Sequence, residues 1–563
     1  MSRVSLCILT MLSGIVLQVN AVKVAACGKT HFTQRAQGSY RYINMTATAY
    51  KRHLYYNDEF YSDLNISLGW ERNFDKRRQS SYFFNAQGYL NVGPNNEGYD
   101  VRSSDLGLGA DFCGKAWVEP SYKNFLMYIN PYFQFNNWIK GLWFEVFIPF
   151  VSTAWNARPK TCITKNSEYA VYTVPTDVGI AHAGQIIGVM NTPRQIGTTG
   201  VVTPLPIVFD GPTALEDALY GSKGFMGFGD AFPIHQGRLS DIHLGVIGFD
   251  GFYLTLGYDF LRKDRGNLGI AIDFAPYVGN LISNKQTDET TFALYYFFPS
   301  IGRQYQYKLG GILRGQFDIY NRDEENRFTL FADAQLHNLF SGKVTRNLGL
   351  NLNGKECFNN WLLLEKSSVK GNAAVYLGMQ QASNLLTSFV KIKNQFEGQL
   401  NIMLNYSYKG LNAAIGYNFF GRQAESLSLC EFANNDVYQY AYVIKGEAPV
   451  TIGDTITAGG FYSASDSNGS MTGTLVEGSQ VNALTVPSTL VNDNKVHIAD
   501  CRDVNINVAA HPRYISHTLF MALNYHWDYH FDPQVGIAAK VEFGSNNAAM
   551  NLWGIFLQGG LVF

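Results

Sequence analysis

What this 563-residue chain lacks narrows its class before any motif is sought. It has no charge excess, with 44 Lys and Arg against 45 Asp and Glu, so composition points to neither nucleic acid nor an anionic surface. It has one long apolar run, 4–17, and no other stretch near the ~20 apolar residues a spanning helix requires. Its cysteines show no CxxC spacing, hence no zinc or dithiol signature. GxSxG, HExxH and paired-carboxylate motifs do not stand out, and the glycine-rich stretch 224–230 lacks the Lys and Ser/Thr of a phosphate loop. We therefore expect no enzyme, no cofactor and no catalytic or metal-binding set.

The apolar run follows Arg3 and precedes Val19-Asn20-Ala21, which reads as a secretory signal peptide cleaved after Ala21. A rival reading is a lipobox at Val24-Ala25-Ala26-Cys27, separated from the apolar core by Lys23. Mean hydropathy is −0.09 and aromatics reach 14%, with 34 Tyr, 39 Phe and 54 Gly, which suits a sheet with aromatic girdles and tight turns. Without a spanning helix, a place in a membrane would require a closed barrel, because open sheet edges do not survive in lipid.

The clearest periodicity ends the chain. Trp553, Ile555, Leu557, Leu561 and Phe563 alternate with Gly554, Gln558 and Gly560, the period-two pattern of a strand with one apolar face. These residues resemble the closing strand of a bacterial outer-membrane barrel, whose terminal aromatic and preceding alternation serve as the assembly signal read by the insertion machinery. The same alternation runs through 60–71, 82–92, 105–112, 127–136, 142–150, 242–248, 254–260, 268–274, 290–298, 307–319, 328–336, 400–408, 411–419, 519–527 and 535–543. Its polar faces carry mostly Asn, Gln, Ser, Gly and Tyr where a soluble sheet would show water Lys, Glu and Arg, and this fits a wet lumen.

Three segments break the rhythm, 156–238, 338–395 and 421–513, and read as long extracellular loops. The first holds a helix candidate at 212–220 with the acids Asp210, Glu216 and Asp217; the second has partial helix character at 370–388. Placing both barrel ends in the periplasm puts all three loops outside and the turns 138–141, 409–410 and 528–533 inside. The expected architecture is an all-β transmembrane antiparallel barrel of about 16 strands, within about 14 to 18. The ambiguity lies at 242–260, one long strand or a hairpin turning at Phe249-Asp250-Gly251. Residues 1–21 form the signal peptide, 22–59 a periplasmic or plug segment with a weak strand at 40–50, and 60–563 the barrel.

Four motifs, Leu142-Trp143-Phe144-Glu145-Val146, Gly416-Tyr417-Asn418-Phe419-Phe420-Gly421-Arg422, Ala509-Ala510-His511-Pro512-Arg513 and Trp553-Gly554-Ile555, resemble an uncharacterised porin-like family of bacterial outer-membrane β-barrels. The resemblance covers most of the mature chain and implies a fold in the outer membrane of a Gram-negative cell; it implies no substrate.

Charges that interrupt the neutral polar faces, Asp105, Asp111, Glu145, Asp273, Asp333, Lys540 and Glu542, are the pore-lining candidates. Cys430 and Cys501 share the third loop and are expected to form a disulfide. His526, Asp528, His530 and Asp532 alternate like metal ligands, but Trp527, Tyr529 and Phe531 between them favour an interfacial turn. The leading function is passive diffusion of small solutes. The alternatives are a plugged transporter of hydrophobic substrates, of the fatty-acid-transporter type, and a surface adhesin. Expected partners are outer-membrane lipid, the insertion machinery, small solutes and a second copy of the chain.

Overall fold

The computed structural model describes residues 28–48, most of 60–165, Leu215 and Leu219, and most of 236–563; positions 1–27, 49–59, nearly all of 166–235, 277–293 and scattered short stretches lie outside the description. The signal peptide, Cys27, and the acids Asp210, Glu216 and Asp217 therefore fall outside it, while Leu215 and Leu219 of the loop-helix candidate are helical and buried.

Twelve strands form one closed antiparallel ring. They are β1 (Phe60–Asn73), β2 (Ser121–Phe135), β3 (Leu142–Asn156), β4 (Tyr253–Lys263), β5 (Gly266–Ala275) and β6 (Lys308–Asp323). The ring continues with β7 (Asn326–Leu339), β8 (Gln395–Tyr408), β9 (Leu411–Arg422), β10 (Tyr514–His526), β11 (Gln534–Gly544) and β12 (Leu552–Val562). Each strand pairs with its neighbour in sequence, and β12 returns to β1 through Asp63↔Val562 to Asn73↔Leu552. Closure removes both sheet edges.

Alternation fixes which way each side chain points. On β12 Ile555, Leu557 and Leu561 face out, while Gly554, Phe556 and Gln558 face in. Leu256, Ile270, Ile272, Leu313, Phe317, Ile415, Leu519 and Met521 continue the outward belt, with Ile272 63% and Leu557 60% exposed. An apolar surface this continuous is stable only against another apolar medium.

One rim carries the short turns. Tyr408 pairs with Leu411 around Lys409-Gly410, and both turn residues have positive φ, 45° and 82°, the two-residue hairpin geometry that glycine eases. Trp527, Tyr529 and Phe531 are exposed on the same rim, with Trp527 edge-on to Tyr525 and Phe531 packed on Phe563, which agrees with an interfacial turn. His530 lies outside the described residues. The opposite rim carries the long segments, and two of them fold: Gly342–Asn347, Thr387–Ile392 and Leu427–Phe432 form a three-stranded sheet over a core including Leu348, Leu385, Leu386 and Phe432. Within 370–388, the expected helix character is confined to Ala382–Leu386.

The ring has four strands fewer than the sequence pattern suggested. Residues 82–92 begin in a helix, Arg77–Phe83, and Tyr82, Phe83 and Phe84 are buried with Phe32, Trp361 and His511, so their apolarity serves an interior cluster and not lipid. Of 105–112, only Leu106 and Phe112 are described, both buried, and Asp105 and Asp111 lie outside the description. In 290–298 only the two-residue bridge Leu294–Tyr295 is described. Leu244–Phe249 pairs with the far half of β3 outside the closed ring. No hairpin turns at Phe249-Asp250-Gly251: Phe249↔Phe150 and Tyr253↔Phe147 lie on one strand in one direction, so the chain runs on into β4 through a one-residue bulge.

Candidate functional site in the barrel lumen

Twelve strands enclose more space than wall side chains fill at eight, and less than the open channel of sixteen. Here that space is occupied by the chain itself. Residues 28–48 are almost wholly buried, and the weak strand expected at 40–50 is instead a short 3-10 turn, Gln37–Ser39, followed by α1 (Arg41–Thr48). All eight residues of α1 are buried, which explains why 40–50 shows no distinguishable faces: every side of the helix meets the wall.

The wall meets α1 with an apolar waist. Tyr40, Tyr42, Ile43 and Met45 pack with the inward Phe147, Phe331, Met403, Phe520 and Phe556. Tyr42 lies against Phe520 at 4.9 Å between ring centroids, and Tyr128 stacks on Phe556 at 6.2 Å. Gly69 opposite Phe556 admits that ring, since a Cβ there would collide with it.

Polar contacts then fix the segment at both ends of the waist. Arg35 donates to Asn418 Oδ1 at 2.8 Å and Gln399 Oε1 at 3.1 Å, lies 3.5 Å from Glu542 Oε1, and stands over the Phe420 ring at 4.2 Å. Arg41 donates to Asp273 Oδ1 at 2.7 Å and Thr255 Oγ1 at 2.9 Å. The C-terminal end of α1 is received by Asn524, whose amide donates to Thr46 O at 3.0 Å, and by Gln534, whose amide donates to Ala47 O at 2.7 Å. Gln558 donates to Ile43 O at 2.7 Å. Arg41 thus reaches β5, while Ala47 is held by β11, six positions away in the ring of twelve. An eight-residue helix about 12 Å long plus an extended Arg bridges the lumen from wall to opposite wall.

The wall also pairs its own charges. Lys540 contacts Glu71 and lies 3.7 Å from Glu542; Lys308 bonds Glu397 at 2.8 Å; Arg314 bonds Asp259 at 3.0 Å. Buried carboxylates and cations persist only when paired in this way. Of the pore-lining candidates, Asp273, Lys540 and Glu542 join this network, and Glu145 and Asp333 face inward beside α1. The assembly-signal residues Ile555, Leu557, Leu561 and Phe563 are exposed on the outer surface, with Trp553 half-buried against Trp70.

Sequence reading missed Arg35 and Arg41, which lie where no periodicity marks a facing, and Glu71, Asp259, Lys308, Arg314 and Glu397. Those five wall charges sit at inward positions of strands, and that phase is the signal that would have found them.

Above the waist, His511 is buried and His31 half-buried beside Arg346 and Arg422. Burial first, then these neighbouring guanidinium groups, push both imidazoles well below the ordinary histidine range. Arg346 donates to His31 Nδ1 at 3.2 Å, so the proton of the neutral ring sits on Nε2 and faces Thr33 Oγ1 at 2.8 Å. The expected disulfide is not formed: Cys430 and Cys501 are exposed free thiols. Cys430 is the extra residue of a bulge between Phe389↔Glu431 and Val390↔Leu429, and Cys501 sits in its own turn, donating to Ile498 O and accepting from Val504 N, so separate frames hold the two.

No protein-family model and no curated protein matches the chain. Among solved structures it is similar to the toluene transporter TodX of Pseudomonas putida, at TM-score 0.27 and 9% identity over 95% of each chain. OprB of Pseudomonas putida aligns at TM-score 0.19 and 8% identity, over 91% of this chain and 96% of that one. The outer membrane protease OmpT of Escherichia coli aligns at TM-score 0.18 and 7% identity, over 90% and 96%. Likenesses this distant assign no activity, and the reading below rests on the barrel and its lumen.

Proposed function

We propose that the protein is an outer-membrane barrel whose own N-terminal segment closes the lumen, and that it passes small polar solutes when that segment shifts. The supporting observation is the span of α1 from Asp273 to Gln534 across the ring, which leaves no wide open pore of the passive kind expected from a larger barrel. Membrane placement is supported by the outward belt around Ile272, Leu519 and Leu557 and by closure of every barrel edge. Polar solutes fit better than hydrophobic ones, because an apolar molecule leaving the waist would meet the charges of Arg41, Asp273, Lys308 and Glu397.

The test is solute-driven swelling of liposomes containing the full chain, compared with an Arg35→Ala/Arg41→Ala variant. The native protein should admit small sugars slowly and the variant markedly faster. Equal, rapid entry through both would show that the segment does not gate.

A further inference from the structure

Between α1 and the wall of β2, β3, β6 and β7 lies a cavity of about 50 Å³, lined among others by Arg41, Asn44, Glu145, Arg314, Asp333 and Gln335. At ~10–15 Å³ per water this holds about four waters, or one solute of similar size. We propose that it binds a small primary ammonium ion carrying a neutral polar group, such as ethanolammonium. The proposal rests on the reading of the lumen as a solute path and names the class of solute that pauses there.

Unmet hydrogen bonding is the first argument. Asn44 is 4% exposed, and neither its Oδ1 nor its Nδ2 has a hydrogen-bond partner among the described residues. Arg41 Nε and Gln335 Oε1, on residues also lining the cavity, are likewise buried and unpartnered. Buried amides are rarely left so, and four such atoms around one cavity call for a polar occupant with donors and an acceptor.

Charge is the second argument, and it selects the sign. The guanidinium of Arg41 is neutralised by Asp273 at 2.7 Å and that of Arg314 by Asp259 at 3.0 Å, and neither carboxylate lines the cavity. Glu145 does line it, accepts one hydrogen bond from Asn130 Nδ2 at 2.9 Å, and forms no ion pair among the described residues. A carboxylate with spare acceptor capacity, together with Asn44 Oδ1 and Gln335 Oε1, matches the three N–H donors of an ammonium. Asn44 Nδ2 and Arg41 Nε then donate to the hydroxyl oxygen of the same small molecule. An anion would instead meet the carboxylates of Glu145 and Asp333, both on the cavity lining, while the two guanidinium groups there already have Asp273 and Asp259.

The test is calorimetric titration of the folded full chain in detergent with ethanolammonium, glycolate and ethanol, with heat-modifiable gel mobility confirming the barrel in every variant. Saturable binding of ethanolammonium alone is expected. Glu145→Gln, nearly isosteric, should weaken it roughly tenfold or more through loss of a charge-assisted hydrogen bond, and Asn44→Ala should weaken it several-fold. Equal binding of glycolate, indifference to Glu145→Gln, or no binding of any probe would overturn the proposal; the last result would mean the cavity holds water only. Because binding is read without transport, a swelling response with no ammonium binding would sink this inference and leave the gated lumen standing.

Discussion

Arg41 on α1 and Asp273 on β5 meet at 2.7 Å inside the barrel, and the same carboxylate faces His337 at 3.1 Å and Lys308 at 4.0 Å. The pair is asymmetric. Removing Arg41 leaves Asp273 three further partners, Thr255, His337 and Lys308, whereas removing Asp273 leaves the Arg41 guanidinium buried with Thr255 alone at hydrogen-bond distance among the described residues.

Asp273→Ala should therefore cost more stability than Arg41→Ala. We expect about 3–5 kcal/mol for the first, the range for stranding one member of a buried pair, and less for the second. Urea or thermal unfolding followed by gel mobility reads the difference; equal losses would mean the pair acts alone.

Facing predicts different outcomes for substitutions at adjacent residues of β12. Ile555→Arg places a charge on the outer belt at a cost of ~2–4 kcal/mol at mid-membrane and should reduce the assembled, heat-modifiable form. Phe556→Ala, one residue away but inward against Tyr128, should assemble and lose roughly 3–5 kcal/mol of stability through a cavity at the waist. If Ile555→Arg assembles normally, the outer face is not against lipid.

Acid should loosen the mouth. His31 and His511 are held neutral in the folded protein, with values pushed well below the ordinary one, so the open state binds more protons once pH falls under about 6.5. Their contribution is fully present above that point and is lost progressively as pH drops from it toward the depressed folded values. Proteolysis of residues 28–48 should accelerate between pH 7.5 and pH 5, and His31→Gln should flatten the profile. A flat profile in the native protein would contradict this.

Cys430 and Cys501 should both react with a thiol-alkylating reagent in the unreduced protein, since each is free and exposed. Peptide mapping that finds them joined would require the bulge at Cys430 and the turn at Cys501 to rearrange.

The barrel itself was legible in the sequence because its outer face repeats every second residue, and the twelve ring strands all lie among those expected. The strand expected at 82–92 fails for a physical reason. Tyr82 and Phe84 alternate like lipid-facing residues but pack inward on Phe32 and Trp361, and periodicity does not say which apolar medium a face meets. The filled lumen left a trace that alternation alone passes over. Phe147, Phe331, Met403, Phe520 and Phe556 sit in the polar phase, between outward residues such as Leu519 and Met521 or Ile555 and Leu557, making five strands apolar on both faces at one level. A lumen of water has no use for such a ring; a helix packed inside it does. Arg35 and Arg41 were out of reach, since their partners on the wall lie more than 200 residues away and no local pattern links them.

The most direct measurement of the central claim is single-channel current through the purified full chain in a planar bilayer, beside Arg35→Ala/Arg41→Ala. The native protein should be silent or open only briefly, and the double variant should show sustained steps. Sustained native currents of the same size as those of the variant would mean that residues 28–48 do not close the lumen.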